Sequence, residues 1–279
     1  MRTMPSSPTP VCTPERIRAL CGPAAQEVVI ETIDETGSTN ADLLARLALK
    51  APHCQQMAPR HLLLAHNQTA GRGRAGRSWL ASREGSLTFS LAWKFQRRVQ
   101  DLVGLPLAIG VAIAEAMAHF QIEVQLKWPN DVLRQGKKLA GVLIETSAST
   151  EPQQAAIWAV IGIGINIHVP DDLADRIGQP VAHMSAGTVQ RDLLMASLLD
   201  GLAQAMNLFE EQGFAAFAAR WNALHAHAGQ EVVMLDHGRV LHAGRAVGVD
   251  DIGRLLLDSA GGRIAVMAGD VSLRAAEAP

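Results

Sequence analysis

Residues 68–79, QTAGRGRAGRSW, set Gly71, Gly73 and Gly76 among Arg72, Arg74 and Arg77. The stretch has neither the spacing of a buried helix nor the alternation of a strand, so it reads as a loop. Glycine lets a backbone approach a ligand closely and expose its N–H groups. Arginine stays charged and forks onto phosphate or carboxylate. Together they suit an anionic ligand, and a loop of this kind is expected to order around it. It is not a P-loop, because no Gly-Lys-Ser/Thr follows. The apolar run just before it, residues 61–67, reads as a strand that leads directly into the loop.

The rest of the composition makes this cationic cluster local. The chain has 279 residues, 25 Lys plus Arg against 27 Asp plus Glu, and a net charge of -2. A general nucleic-acid binder carries a basic excess, so no DNA partner is expected. Cys12, Cys21 and Cys54 form no CxxC, and three cysteines suit neither a disulfide framework nor a structural zinc site. A reducing, cytoplasmic location is expected. The Pro/Ser/Thr-rich start lacks the apolar core of a signal peptide. No apolar run reaches the ~18 residues of a membrane span. The longest, residues 102–117, is interrupted by Pro106 and Glu115 and reads as a buried helix.

Three segments emerge along the chain. Residues 1–26 read as a leader with a short helix near residues 14–20, too short for a full helix-turn-helix. Residues 27–228 read as a large α+β domain. Its expected strands lie at 27–33, 61–67, 86–95, 124–132 (broken by Pro129), 137–146 and 155–169. Its expected helices follow Ser38 or Thr39 and cover 101–120, 188–211 and 213–224. Residues 229–279 hold short β runs separated by DHG, DDIG and AGG, the texture of a small all-β unit.

Four further stretches bear on chemistry. KWPNDV (127–132) crowds a cation, an amide and a carboxylate where a strand ends. There Lys127 can meet a phosphate, and Asp131 can meet Mg²⁺ or orient an amine. The bland alternative is a turn with a self-satisfied Asn130-Asp131 pair. In GKKLAG (136–141), Lys138 can point into a pocket while its apolar neighbours pack, and Lys137 reads as an ordinary turn residue. GIGINIH (162–168) lacks the third glycine of a dinucleotide fingerprint. It reads as a strand that something flat approaches, with the Asn166 amide offered to it. GSTN (37–40) sets two hydroxyls and an amide at a helix start, where plain capping is the simpler account. No metal motif is present. His225 and His227 have no third ligand nearby in sequence and read as surface or hinge residues.

The order STN, QTAGRGRAGRSW, KWPNDV, KLAG, GIGIN resembles that of the bacterial biotin–protein ligases (biotin–[acetyl-CoA-carboxylase] ligases), from about residue 27 to the end. The resemblance implies a mixed β-sheet with helices on one side, related to class II aminoacyl-tRNA synthetases, and a small C-terminal SH3-like β-barrel. It implies an ATP-dependent ligase that converts biotin to biotinoyl-5'-AMP and transfers biotin to a lysine of a biotin carboxyl-carrier protein. By the same resemblance Ser38, Thr39, Asn40 and Gln68 hold the biotin rings. Gly71, Arg72, Gly73 and Arg74 belong to the covering loop, and Trp79 packs on adenine. Lys138 contacts the reacting oxygens, with Gly141 beside it in KLAG. Lys127, Asn130 and Asp131 lie near the phosphates and Asn166 near the nucleotide. The catalytic set is then Lys138, Arg72, Arg74 and Asp131, with Mg²⁺ entering on ATP near Asp131. Thr88 stands where the family often has tyrosine. The short leader implies a ligase without the repressor domain of bifunctional members, and dimerisation of relatives through the sheet makes a homodimer one expectation. A lipoate–protein ligase shares the fold and chemistry. A basic-loop RNA-binding module is the reading from a different class, and the acidic balance and 4% aromatics weigh against it.

Overall fold

A computed structural model describes residues 12–48, 60–148, 156–170, 174, 176–177, 180–184, 189–236, 239–268 and 271–275. Helix α1 (Pro14–Leu20) starts under a Thr13 cap, whose hydroxyl accepts from the Arg16 N–H at 3.3 Å. Strand β1 (Val29–Thr36) follows, then α2 (Thr39–Ala48), β2 (Arg60–Gln68) and the short pair β3 (Gly71–Arg72) and β4 (Ser78–Trp79). Next come β5 (Ser86–Phe95), α3 (Leu105–Ala118), β6 (Gln125–Lys127), β7 (Asp131–Arg134), β8 (Lys137–Ala148) and β9 (Ile157–Asn166). Helices α4 (Arg191–Gln212) and α5 (Ala215–Ala223) close this part. Strands β10 (Glu231–Asp236), β11 (Arg239–Val249), β12 (Leu255–Ser259), β13 (Gly262–Val266) and β14 (Val271–Ala275) form the rest.

The main sheet has seven strands in the order β1-β2-β5-β9-β8-β7-β6. Only β1 and β2 run parallel, so the sheet is mixed, as expected. Alternation along the strands gives its two faces different jobs. Leu62, Leu64, Phe89, Leu91, Ile161, Ile163 and Val142 point into the large core with α3, α4 and α5. A fully buried Leu, Ile or Phe stabilises by about 1.5–3 kcal/mol, so this face carries most of the fold's driving force. On the other face Leu43 of α2 packs on Leu63, Ala92 and Val160 in a much smaller cluster. One helix therefore lies opposite the others. Beyond it the same face carries Thr88, Ser90, Gly141, Gly162 and Gly164, residues too small or polar to fill space. That is where the pocket lies.

Pro106 starts a helix rather than interrupting one. Residues 99–102 form a separate 3-10 turn, and α3 begins at Leu105 with the proline in its first turn, where no N–H is needed. By length and composition the stretch Val99–Ala118 could cross a membrane, but it is largely buried in the core. The C-terminal strands form a five-stranded antiparallel sheet, β13-β12-β11-β10-β14. Its last strand, β14, was not read from sequence: it is five residues long and carries little apolar signal. The start of the helix expected at residue 188 lies outside the described residues, and the helix is seen from Arg191.

Candidate active site

The pocket lies between the start of α2, the Gly/Arg hairpin and the glycine-bearing strands. Its floor is a chain of hydrogen bonds with a definite direction. The Thr39 N–H donates to Gln68 Oε1 at 2.7 Å. Ser90 Oγ donates to Asn40 Oδ1 at 2.5 Å, so its single proton is used there. Thr39 Oγ1 lies 2.6 Å from Ser90 Oγ and must be the donor, although its 3.1 Å contact with Gln68 competes for the same proton. Asn40 Nδ2 then donates to Glu145 Oε2 at 2.9 Å. Asn40 is only 3% exposed and Ser90 0%, so each orientation is enforced by the cost of an unmade buried hydrogen bond, ~1–3 kcal/mol. Ser38 is buried beside them; its hydroxyl faces the Ala41 N–H at 3.5 Å, a weak cap.

Glycines make the room. A Cβ on Gly162 would lie 2.4 Å from Asn40 Oδ1, and one on Gly164 would lie 2.3 Å from the Trp79 ring. The flat group anticipated over GIGIN is thus the protein's own Trp79 indole. Thr88 pairs with Gly164 across β5 and β9 and donates to the Ala65 carbonyl at 3.1 Å. This small pair leaves the space the indole takes. A Cβ on Gly71 would meet the Trp79 carbonyl at 2.5 Å, which holds that position to glycine in the β3–β4 hairpin.

The Gly/Arg stretch is more regular than its sequence suggests. β3 pairs with β4, Gly73 N–H donates to Arg77 O at 2.7 Å, and Ala75 and Gly76 take positive φ at the tip. The hairpin hangs its cations over the pocket. Arg72 Nη2 meets Glu145 Oε2 at 2.9 Å, and Arg74 Nη1 donates to Asn130 Oδ1 at 3.0 Å. Asn130 is pinned in turn, its Nδ2 donating to Val142 O at 2.8 Å. Lys138 Nζ pairs with Asp131 Oδ1 at 2.6 Å and lies 5.8 Å from the Trp79 ring centre. Gly141 completes this corner: a Cβ there would come within 3.1 Å of the Lys138 side chain.

Beyond Lys138 the pocket opens into a groove lined by Arg77, Lys127, Asp131, Arg176 and Arg274 among others. Asp131 is its one carboxylate among the described residues. Burial first, then Lys138, Arg274 and Arg77, pull the Lys127 ammonium below the ordinary lysine value, with Asp131 opposing. A site this rich in cation is short of anion. No group of three His, Cys, Asp or Glu able to hold a metal occurs among the described residues. One carboxylate beside a cationic groove does fit Mg²⁺ that arrives on phosphates and takes a single protein ligand.

Some expectations change in the structure. Asn166 lines the groove, but its Nδ2 donates to the Lys138 and Ala182 carbonyls, so its N–H groups brace backbone instead of being offered outward. His225 is not a surface residue: it is 5% exposed and packs against Trp221, the rings tilted with centres 4.7 Å apart. Ser90 and Glu145 were not picked out from sequence. A polar residue in the apolar run SLTFSLAW was the available signal for Ser90. For Glu145 it was strand parity with Gly141.

Comparison with known proteins agrees with this geometry. The profile of the Biotin/lipoate A/B protein ligase family matches residues 37–166, and that of the Biotin protein ligase C terminal domain matches residues 227–274. The chain is 33% identical over 252 residues to the bifunctional ligase/repressor BirA of Salmonella typhimurium, covering 89% of this chain and 74% of that one. It is 34% identical to the biotin--[acetyl-CoA-carboxylase] ligase of Mycobacterium tuberculosis, covering 87% and 88%. Among solved structures, the biotin protein ligase of Aquifex aeolicus in complex with biotin and ATP superposes with a TM-score of 0.70 at 28% identity, covering 89% and 99%. With a mixed sheet, a C-terminal β unit and a glycine-arginine hairpin over a polar pocket, the chain is a ligase and belongs to the biotin protein ligase family.

Proposed function

We propose that the protein joins biotin to ATP, forming biotinoyl-5'-AMP and pyrophosphate, and then transfers the biotinoyl group to one lysine of a biotin carboxyl-carrier protein, releasing AMP. The observation that carries this is a shared wall. Gly73, Arg74, Trp79, Asn130 and Lys138 line both the small polar pocket and the cationic groove. A neutral ring system in the first and a polyphosphate in the second would meet at Lys138. Relatives named as biotin–[acetyl-CoA-carboxylase] ligases and a related structure holding biotin and ATP support the same reading.

The chemistry explains the charges. A carboxylate oxygen attacks the α-phosphorus while the bond to pyrophosphate breaks, and both reactants are anions. Lys138, Arg72 and Arg74 offset the repulsion and stabilise charge that develops on the phosphoryl oxygens. Each is already held in place by Asp131, Glu145 or Asn130, so little reorganisation is left for the reaction itself. When bound, Mg²⁺ supplies further charge neutralisation on the phosphates, and Asp131 is the residue to hold it. The floor of Thr39, Asn40, Gln68 and Ser90 presents hydroxyls and amides without net charge, which suits a ureido group. In the second step the acceptor amine attacks the acyl carbon, AMP leaves, and the hairpin shields the mixed anhydride from water. We propose the cytoplasm as its location; Cys12 and Cys21 are both free thiols.

Biotin-dependent exchange of labelled pyrophosphate into ATP, with lipoate as competitor, tests the first step. Exchange that needs biotin and ignores lipoate is expected. Exchange driven by lipoate alone would move the protein to the sister activity.

A further inference from the structure

Glu145 lies outside the lining of the pocket, yet both sides of the pocket are tied to it. One carboxylate oxygen, Oε2, accepts from Arg72 Nη2 of the hairpin and from Asn40 Nδ2 of the floor, each at 2.9 Å. Asn40 packs directly on Gly162, where an added Cβ would lie 2.4 Å from its Oδ1. From Asn40 the hydrogen-bond chain runs through Ser90 to the Thr39 hydroxyl, and the Thr39 backbone N–H donates separately to Gln68. A carboxylate only accepts hydrogen bonds. It therefore holds Asn40 with its nitrogen outward and its oxygen toward Ser90, and the Ser90 and Thr39 hydroxyls follow in turn. Glu145 is the fixed end of the floor and the anchor of the hairpin.

We propose that Glu145 is a positioning residue for this site: it clasps Arg72, and so the glycine-arginine hairpin, onto the floor that receives the neutral ring system, coupling closure of the hairpin to occupancy of the pocket. The proposal rests on the biotin-ligase reading for the ligand, and on geometry alone for the clasp. The pair is half-exposed, with Arg72 at 43% and Glu145 at 29%, so it can open and re-form without the cost of a deeply buried ion pair. No proton or bond changes hands. Glu145 acts through Arg72 and Asn40, not on the reacting atoms.

The test compares the full-length wild type with Glu145→Gln, Arg72→Gln and the double variant. Gln keeps the shape and removes the charge, so folding is expected to survive, and thermal midpoints check it. With biotin, ATP and Mg²⁺, Glu145→Gln is expected to raise the KM for biotin about tenfold, the equivalent of one charge-assisted contact. The KM for ATP should stay within about twofold, and kcat should fall far less than in Lys138→Ala, because Arg72 itself remains in the site. A merely structural role would lower the amount of active enzyme without splitting the constants in this way. In the KM for biotin the double variant should be little worse than either single one, while both variants that lack Arg72 also lose kcat with the missing cation. Without substrates, amide hydrogen exchange across residues 71–79 should quicken about tenfold in both single variants alike. An unchanged KM for biotin, or additive effects, or unchanged exchange in Glu145→Gln, would overturn the clasp. If the wild type shows no biotin-dependent turnover the functional reading fails, and the exchange comparison still decides whether the clasp exists.

Discussion

Gly162 and Gly164 do opposite work with the same absence of a side chain. The first admits Asn40 and the second admits Trp79. A methyl group at Gly162 would push Asn40 off Ser90 and Glu145 together. We predict that Gly162→Ala weakens biotin binding by at least tenfold in calorimetry, since two buried polar contacts are disturbed at ~1–3 kcal/mol each. Gly164→Ala should leave the floor intact and displace the indole, visible as a change in tryptophan emission and a higher KM for ATP. At Lys138 the loss is electrostatic. Removing one preorganised donor at a charge-developing centre costs about 10²–10³ in rate, so Lys138→Ala should lose that factor in pyrophosphate exchange. At this scale the sequence was legible where one residue type implies one chemistry: arginines among glycines announce an anion. It was not legible where a role depends on a distant partner. Asn40 and Glu145 are 105 residues apart, and only the pairing of β8 with β9 and the seat of α2 bring them together.

Strands were the best-read elements, because apolar runs such as residues 86–95 and 157–166 follow directly from the need to bury both faces of a central strand. The connection between the two halves was read only as a surface or hinge segment. The segment after α5 adds itself to the sheet edge: Leu126 N–H donates to Leu224 O at 2.7 Å, and Ala226 N–H donates to Leu126 O at 2.9 Å. This brings His225 into a buried position where neither ring nitrogen has a hydrogen-bond partner. Burial, with His227 adding to it, pushes the His225 pKa from 6.5 down to about 4. The unfolded chain takes up a proton near 6.5 and the folded chain does not until about 4. The stability is therefore complete above 6.5 and falls as pH drops toward 4, by about 3 kcal/mol in all. Denaturant midpoints measured from pH 7 to pH 4.5 should show this decline in the wild type. His225→Phe, which keeps a ring against Trp221 and cannot be protonated, should show a shallower one. Equal slopes in the two proteins would remove His225 as the cause.

The whole molecule is organised around the KWPND stretch, which faces the groove on one side and the C-terminal unit on the other. Trp128, 1% exposed, donates its indole N–H to Gly253 O at 3.2 Å. Gly253 sits at positive φ on the turn between β11 and β12, pressed against the start of α3, where a Cβ would come within 3.0 Å of the Gly104 backbone. Asn222 of α5 closes the contact, accepting from Val249 N–H at 2.7 Å and donating to Val249 O at 3.1 Å. Gly253→Ala should cost about 1–3 kcal/mol in urea unfolding, from clash and backbone strain together. It should also raise the KM for ATP, because Asn130 and Asp131 follow Trp128 in the chain. The C-terminal β unit showed in the sequence as short β runs separated by DHG, DDIG and AGG. The docking did not, since contacts such as Trp128 with Gly253, 125 positions apart, leave no local signal in either stretch. The proposed function requires that one pocket and one groove meeting at Lys138 make biotin ready for a protein acceptor. Its most direct test is the intact mass of a biotin carboxyl-carrier domain after incubation with the protein, ATP, Mg²⁺ and equal amounts of biotin and lipoate, with Lys138→Ala alongside. A gain of one biotinoyl group, lost or strongly reduced in the variant, is the predicted result; a lipoyl gain, or an unmodified carrier with the wild type, would contradict it.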